Sequence, residues 1–153
     1  MNSETLSPKL SAALKWLAPL FACVSFIGFL DAAYLTANYY WGVPINCSIF
    51  NGCEQVLTSR YASVAGVPVS LFGAFYYLAV LILTLVFIDG RHSRIFLLAA
   101  RLTVIGLAVS LGLLYLQIFV LEALCLYCLV SAATSISLFA LGCHALLLNR
   151  FSK

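Results

Sequence analysis

Four long stretches of this chain hold almost no position that water would favour. They run from about residue 16 to 40, 69 to 88, 95 to 121 and 124 to 148. Each is longer than a helix buried in a soluble core needs, and close to the ~20 residues that carry an α-helix across a bilayer. A strand reading fails on the same pattern, because a membrane barrel alternates apolar with polar residues and these runs are solidly apolar. Trp16 and the run Tyr39-Tyr40-Trp41 stand near span ends, where amphipathic rings settle among lipid headgroups. The pattern predicts an all-α membrane protein, a four-transmembrane-helix bundle forming one domain over residues 1–153.

Between the first two runs lies the one long segment that does not span, about residues 42 to 67. Pro44, Gly52, Gly66 and Pro68 punctuate it, and a short helix over 54–60 is expected after the Gly52 break. Loops of that length usually carry function. No repeat or low-complexity tract interrupts the chain.

Composition removes the soluble alternative. The 153 residues are 64% hydrophobic and 8% charged, with a mean hydropathy of +1.09, against roughly 25% charged residues in soluble domains. The net charge of +3 comes from basic residues scattered singly, so no nucleic-acid partner is expected; these charges report topology instead. With four spans, Lys9, Lys15, Arg91, Arg94, Arg101, Arg150 and Lys153 fall on one side and Arg60 on the other. The positive-inside rule puts both termini and the Asp89–Arg94 turn in the cytoplasm, and the 42–67 loop and the turn near Glu122 outside. The first run continues unbroken past Cys23, so it is expected to stay as a span and not to be cleaved as a signal.

Six cysteines divide by depth. Cys47 and Cys53 lie in the outer loop, and Cys125-Leu126-Tyr127-Cys128 begins the fourth run at the same outer end; Cys23 and Cys143 lie deeper. Disulfides persist on the oxidising face of a membrane. Cys125 and Cys128, three apart on a helix, share a face and can open or close a bridge with little backbone movement. A helix's first turn also offers unpaired N–H groups and a positive dipole end, which lower a thiol's pKa. Cys47 and Cys53 enclose five residues, a loop that can serve either as a static staple or as a redox pair presented to a partner. Four thiolates could also hold zinc, but the gap between the pairs includes two spans, and no metal is expected. Asp31, deep in the first run, is read as a helix-packing carboxyl ahead of a proton-transfer group. Gly28 and Gly112 are expected to admit close helix approach.

Cys47, Cys53, Thr58-Ser59-Arg60, Gly66-Val67-Pro68-Val69-Ser70-Leu71-Phe72-Gly73 and Cys125-Leu126-Tyr127-Cys128, with Tyr34-Leu35-Thr36 in the first span, occur in an order that resembles the vitamin K epoxide reductase family. The similarity covers nearly the whole chain. It implies a four-helix membrane bundle around a quinone, ubiquinone or menaquinone, in a bacterial plasma (inner) membrane. No thioredoxin-like domain fits in this chain, so the resemblance implies a separate thioredoxin-like, DsbA-type protein as partner. Cys53 would accept attack from that partner's dithiol, opening a Cys47–Cys53 bridge. Cys47 would then reduce a Cys125–Cys128 bridge, and Cys128 would face the quinone. Ser59 matches the family's Ser after the second loop cysteine. Ser70, Phe72, Phe75, Tyr76 and Gln117 are the candidates for the quinone pocket.

Two departures shape the substrate. Animal members carry an Asn where this chain has Val69, and a Tyr where it has Ala132. Those residues are associated with vitamin K and its epoxide, so a respiratory quinone is expected in their place. A DsbB-type quinone reductase has the same net chemistry, but its C-x-x-C pair precedes the longer outer loop, whereas here it comes last. A tetraspan scaffold with a stapled loop is the non-enzymatic alternative.

Overall fold

A bilayer's interior offers no water to take up backbone groups, so each apolar run satisfies its own N–H and C=O by coiling. The computed structural model describes residues 8–42, 52–90 and 93–151. Its elements are α1 (Pro8–Trp41), α2 (Cys53–Leu57), β1 (Ser63–Val64), β2 (Val67–Pro68), α3 (Val69–Gly90), α4 (Ser93–Tyr115) and α5 (Leu126–Phe151). Four stretches are long and apolar enough to cross a membrane: Leu14–Trp41, Val69–Gly90, Arg94–Val120 and Leu126–Leu148. The chain is a multi-pass membrane protein with the all-α, four-helix architecture that the hydrophobic pattern predicts.

The boundaries differ in instructive ways. Helix α1 begins ahead of its apolar run with Pro8 as first residue, where a missing N–H costs nothing. The third span ends in a π-helical turn over Leu116–Val120, an irregularity frequent at functional sites. Helix α5 starts at Leu126, two residues later than the apolar run. The short loop helix covers Cys53–Leu57 in place of 54–60. It closes where the Thr58 N–H bonds back to the Glu54 carbonyl at 2.9 Å, and the chain then turns into a small hairpin. There β1 and β2 pair antiparallel, Ser63 opposite Pro68 and Val64 opposite Val67. Ala65 (φ 52°) and Gly66 (φ 81°) supply the left-handed corner that two-residue hairpins need.

Helix α1 packs against α3 and α5, and α4 against α5 and α3. At one end of the bundle Phe21 meets Phe96 with ring centroids 5.3 Å apart, and Phe96 meets Phe87 at 4.9 Å. Leu14, Ala18, Val80, Ala99, Leu138 and Ala145 complete that core. Outward faces carry Phe26, Ile27, Leu30, Ile82, Leu85 and Ile105 in the open, as lipid contact allows. Gly28 takes the ring of Tyr77 against its backbone, where a Cβ would collide with it. Gly112 has nothing within 4 Å, so the close approach expected there does not occur.

Candidate active site

At the opposite end of the bundle the described part of the loop before α3, residues 52–68, folds down onto the turn between α4 and α5. Two contacts hold it. The Gln55 side-chain amide donates to the Leu121 carbonyl at 3.1 Å, and Gly52 lies against Leu124, where a Cβ would sit 2.9 Å from the backbone N and O. Only glycine lets the loop come this close. The result is a small buried cluster of Cys53, Val56, Ala123 and Cys125, bordered by Leu57, Leu121, Leu126, Tyr127 and Cys128. Cys53 is 1% exposed and Cys125 0%, so a loop cysteine and a C-x-x-C cysteine share one dry compartment. Cys53 is disulfide-bonded, whereas Cys125 and Cys128 are free thiols. Cys47 lies outside the described residues.

Cys125 precedes α5 instead of lying in its first turn, because the helix starts one residue later. Its carbonyl accepts the Leu129 N–H at 3.0 Å, which makes Cys125 the capping residue. The thiol thereby sits over the helix's unpaired N–H groups. A hydrogen bond from the Cys128 thiol, aided by the backbone N–H groups of Cys128 and Tyr127 and opposed by burial, holds Cys125 down to about 7 from an ordinary 9.0. The partner thiol is thus the main stabiliser of the thiolate, and the N–H groups of the helix start add to it.

Gln117 fixes the turn from the other side. It is 3% exposed and sits in the π-helical turn. Its side-chain carbonyl accepts the Cys125 N–H at 3.0 Å, and its own backbone carbonyl accepts the Ala123 N–H at 3.1 Å. The extra residue of the π turn directs Gln117 inward beneath the C-x-x-C motif.

A cavity of about 690 Å³ opens beside this cluster. Cys128 lines it and Cys125 does not, so the two thiols face different compartments. Of the sequence candidates, Ser59, Ser70, Phe72, Tyr76 and Gln117 also line the cavity. Ser59 donates to the Val56 carbonyl at 2.7 Å and closes α2. Ser70 Oγ lies 2.9 Å from the Thr36 hydroxyl, which ties α3 to α1. The Tyr76 hydroxyl is buried without a hydrogen-bond partner among the described residues. Phe75 does not join them. It is 63% exposed and borders a shallow groove with Phe29, Ala33 and Leu78, because one helical step from Tyr76 turns it away from the cavity.

Sequence reading also missed a polar group in the cavity wall. The Tyr77 hydroxyl lies 2.8 Å from both Thr134 Oγ1 and Ser135 Oγ, and donates to the Ser131 carbonyl at 2.8 Å. The signal was present as three hydroxyl residues, Ser131, Thr134 and Ser135, recurring at helical spacing in an otherwise apolar span. Val69 and Ala132 both line the cavity and give it apolar walls there. An apolar chamber with a few convergent polar groups is the usual form of a small-molecule site.

Comparison with known proteins identifies both a family and a relative. The model of the vitamin K epoxide reductase family fits residues 19–143. The chain is also 36% identical over 121 residues to the thiol-disulfide oxidoreductase LTO1 of Arabidopsis thaliana, which takes in 74% of this chain and 32% of that protein. The chain thus spans about a third of the length of that relative.

Proposed function

The chain belongs to the vitamin K epoxide reductase family, and from that premise we propose that it is a membrane thiol-disulfide oxidoreductase carrying electrons from a protein dithiol to a quinone. One observation carries the reading: Cys53 and Cys125 are buried together while Cys128 lines the adjoining cavity. Electrons arriving at the loop pair have a short route to Cys125, and those leaving the C-x-x-C pair depart from Cys128.

In this reading a thioredoxin-like, DsbA-type partner attacks Cys53 of a Cys47–Cys53 bridge, forming a mixed disulfide that resolves into the partner's disulfide and two loop thiols. Cys47 then attacks Cys125 of the oxidised C-x-x-C pair. That attack forms a Cys47–Cys125 mixed disulfide and releases Cys128. Cys53 then attacks Cys47 and Cys125 departs, a step favoured because a low-pKa sulfur leaves faster and Cys125 is held down to about 7. The loop bridge re-forms and Cys125 and Cys128 become thiols. A bound quinone supplies a two-electron acceptor that returns this pair to the disulfide. Phe72, Tyr76, Ser70 and Gln117 are the residues that would hold it. The chamber's size, its apolar walls and the unpartnered Tyr76 hydroxyl suit a flat ring bearing oxygens. With Val69 and Ala132 in the wall, a respiratory quinone, ubiquinone or menaquinone, is favoured over vitamin K epoxide. The basic residues favour a bacterial plasma membrane orientation with both termini inside and the cysteines outside.

The test compares two electron donors in the purified protein. Cys47→Ala and Cys53→Ala are expected to abolish quinone reduction driven by a thioredoxin-like dithiol, and to retain part of the rate with a small membrane-permeable dithiol that reaches Cys125 directly. Equal loss with both donors would break the relay and make the loop pair part of the acceptor site.

A further inference from the structure

Apart from Tyr76, the buried hydroxyl groups named for this bundle bond to nearby backbone or to one another. Thr36, Thr84 and Thr103 donate to the carbonyls of Ala32, Val80 and Ala100, and Tyr77 meets the hydroxyls of α5. Asp31 breaks the pattern. One of its carboxyl oxygens, Oδ2, is buried and takes part in no hydrogen bond among the described residues. A carboxyl kept for helix packing would bond across to a neighbouring helix, so this geometry speaks against the packing role expected from sequence.

Its position supplies another role. Asp31 lines the same cavity as Cys128. One turn further along α1, Tyr34 stacks on Tyr127 with ring centroids 5.2 Å apart, so this stretch of α1 lies directly against the C-x-x-C motif. Asp31 is also close enough for a charge placed on it to act on the Cys125 thiol. The cavity's other ionisable side chains are Tyr39, Glu54, Tyr61, Tyr76, Tyr77 and Cys128, with no Lys or Arg among the described lining residues. With no cation beside it in the membrane, a carboxyl costs least with its proton on.

We propose that Asp31 is the proton carrier between the Cys125 and Cys128 thiols and the electron acceptor, an inference that rests on the quinone relay above. Oxidising the thiol pair breaks two S–H bonds, forms one S–S bond and releases two electrons and two protons. A quinone's two oxygens take up both pairs as O–H bonds. Asp31 gives its proton to one oxygen and recovers one from a thiol, then repeats the transfer for the second, so its own protonation is unchanged at the end. A buried carboxyl can do this without water entering the apolar chamber.

The experiment uses the full chain in lipid nanodiscs, with a short-chain quinone and a small dithiol. Asp31→Asn, nearly isosteric, is expected to lower kcat about 100-fold, the usual scale for losing a general acid–base group, with KM for the quinone near the wild-type value. Asp31→Glu is expected to recover most of that loss. Apart from turnover, infrared difference spectra between the dithiol and disulfide forms, taken without quinone, should show a carboxylic acid C=O band that shifts as the thiols oxidise and is missing in Asp31→Asn. A kcat retained within about threefold, a loss expressed in KM alone, or the absence of that band in the wild type overturns the proposal. A wild type that cannot pass electrons from any dithiol to quinone overturns the relay itself, a failure distinct from a fully active Asp31→Asn beside a working wild type.

Discussion

The two ends of the bundle solve opposite problems with the same four helices. At one end Leu14, Phe21, Phe87 and Phe96 interlock over small residues such as Ala18, Ala99 and Ala145, and nothing polar is asked of them. At the other end the helices separate around a cavity of about 690 Å³. There Tyr77, Ser131, Thr134 and Ser135 bond to one another, and α4 unwinds into a π turn that delivers Gln117 under the cysteines. Membrane helices gain little from burying apolar surface against one another, since lipid is equally apolar, so close packing holds the first end. That end clamps the bundle, and the second can keep an open chamber without falling apart.

The largest effect expected from breaking this contrast is chemical. Cys128→Ala and Cys125→Ala should each abolish quinone reduction with every dithiol, because the pair is the only exit to the cavity in the proposed relay. Cys23→Ala and Cys143→Ala, free thiols away from the cluster, should leave the rate near wild type. Steady-state rates of the four variants decide it, and equal losses would place the chemistry elsewhere.

Next comes stability. Phe96 is fully buried between Phe21 and Phe87, and Phe96→Ala should cost about 3 kcal/mol or more by opening a cavity, with turnover per folded molecule unchanged. Tyr77→Phe removes one hydroxyl from a cluster whose members can re-pair among themselves, and should cost about 1 kcal/mol while altering turnover. Reversible unfolding in mixed detergent micelles, run beside activity, separates the clamp from the chamber. A clamp variant that changes specific activity more than Tyr77→Phe does would erase the distinction.

The smallest effect concerns the thiols alone. Because Cys125 is held down to about 7, its thiolate is present above that pH and is lost as pH falls through it. Thiolate absorbance of the reduced protein, with Cys125→Ser as the blank, should therefore titrate near 7. In Cys128→Ala, where the principal hydrogen bond is gone, the midpoint should move up towards the ordinary 9.0. An unchanged midpoint would assign the effect to the helix start instead.

Much of this was legible along the chain because it depends on local pattern. Four apolar runs can only be helices in a bilayer, and a C-x-x-C at the start of a run sits at a helix terminus whatever the neighbours do. Ser59, Ser70 and Phe72 stand in the family-like motifs, while Tyr76 and Gln117 stand out as an aromatic and as a polar group near the C-x-x-C end; all five line one cavity. Phe75 failed because choosing between adjacent aromatics on a helix needs its rotation about its axis. That rotation is set by the packing of α3 against α1, which leaves no mark in a run apolar on every side. The π turn, the offset of Cys125 to the capping position and the division of Cys125 and Cys128 between two compartments were likewise decided by tertiary contact, where Gly52 docks on Leu124 and Gln117 reaches Cys125. Asp31 shows the boundary most clearly: its presence in a span was plain from sequence, but a carboxyl's role depends on which partners surround it, and only the assembled helices leave its Oδ2 without one among the described residues.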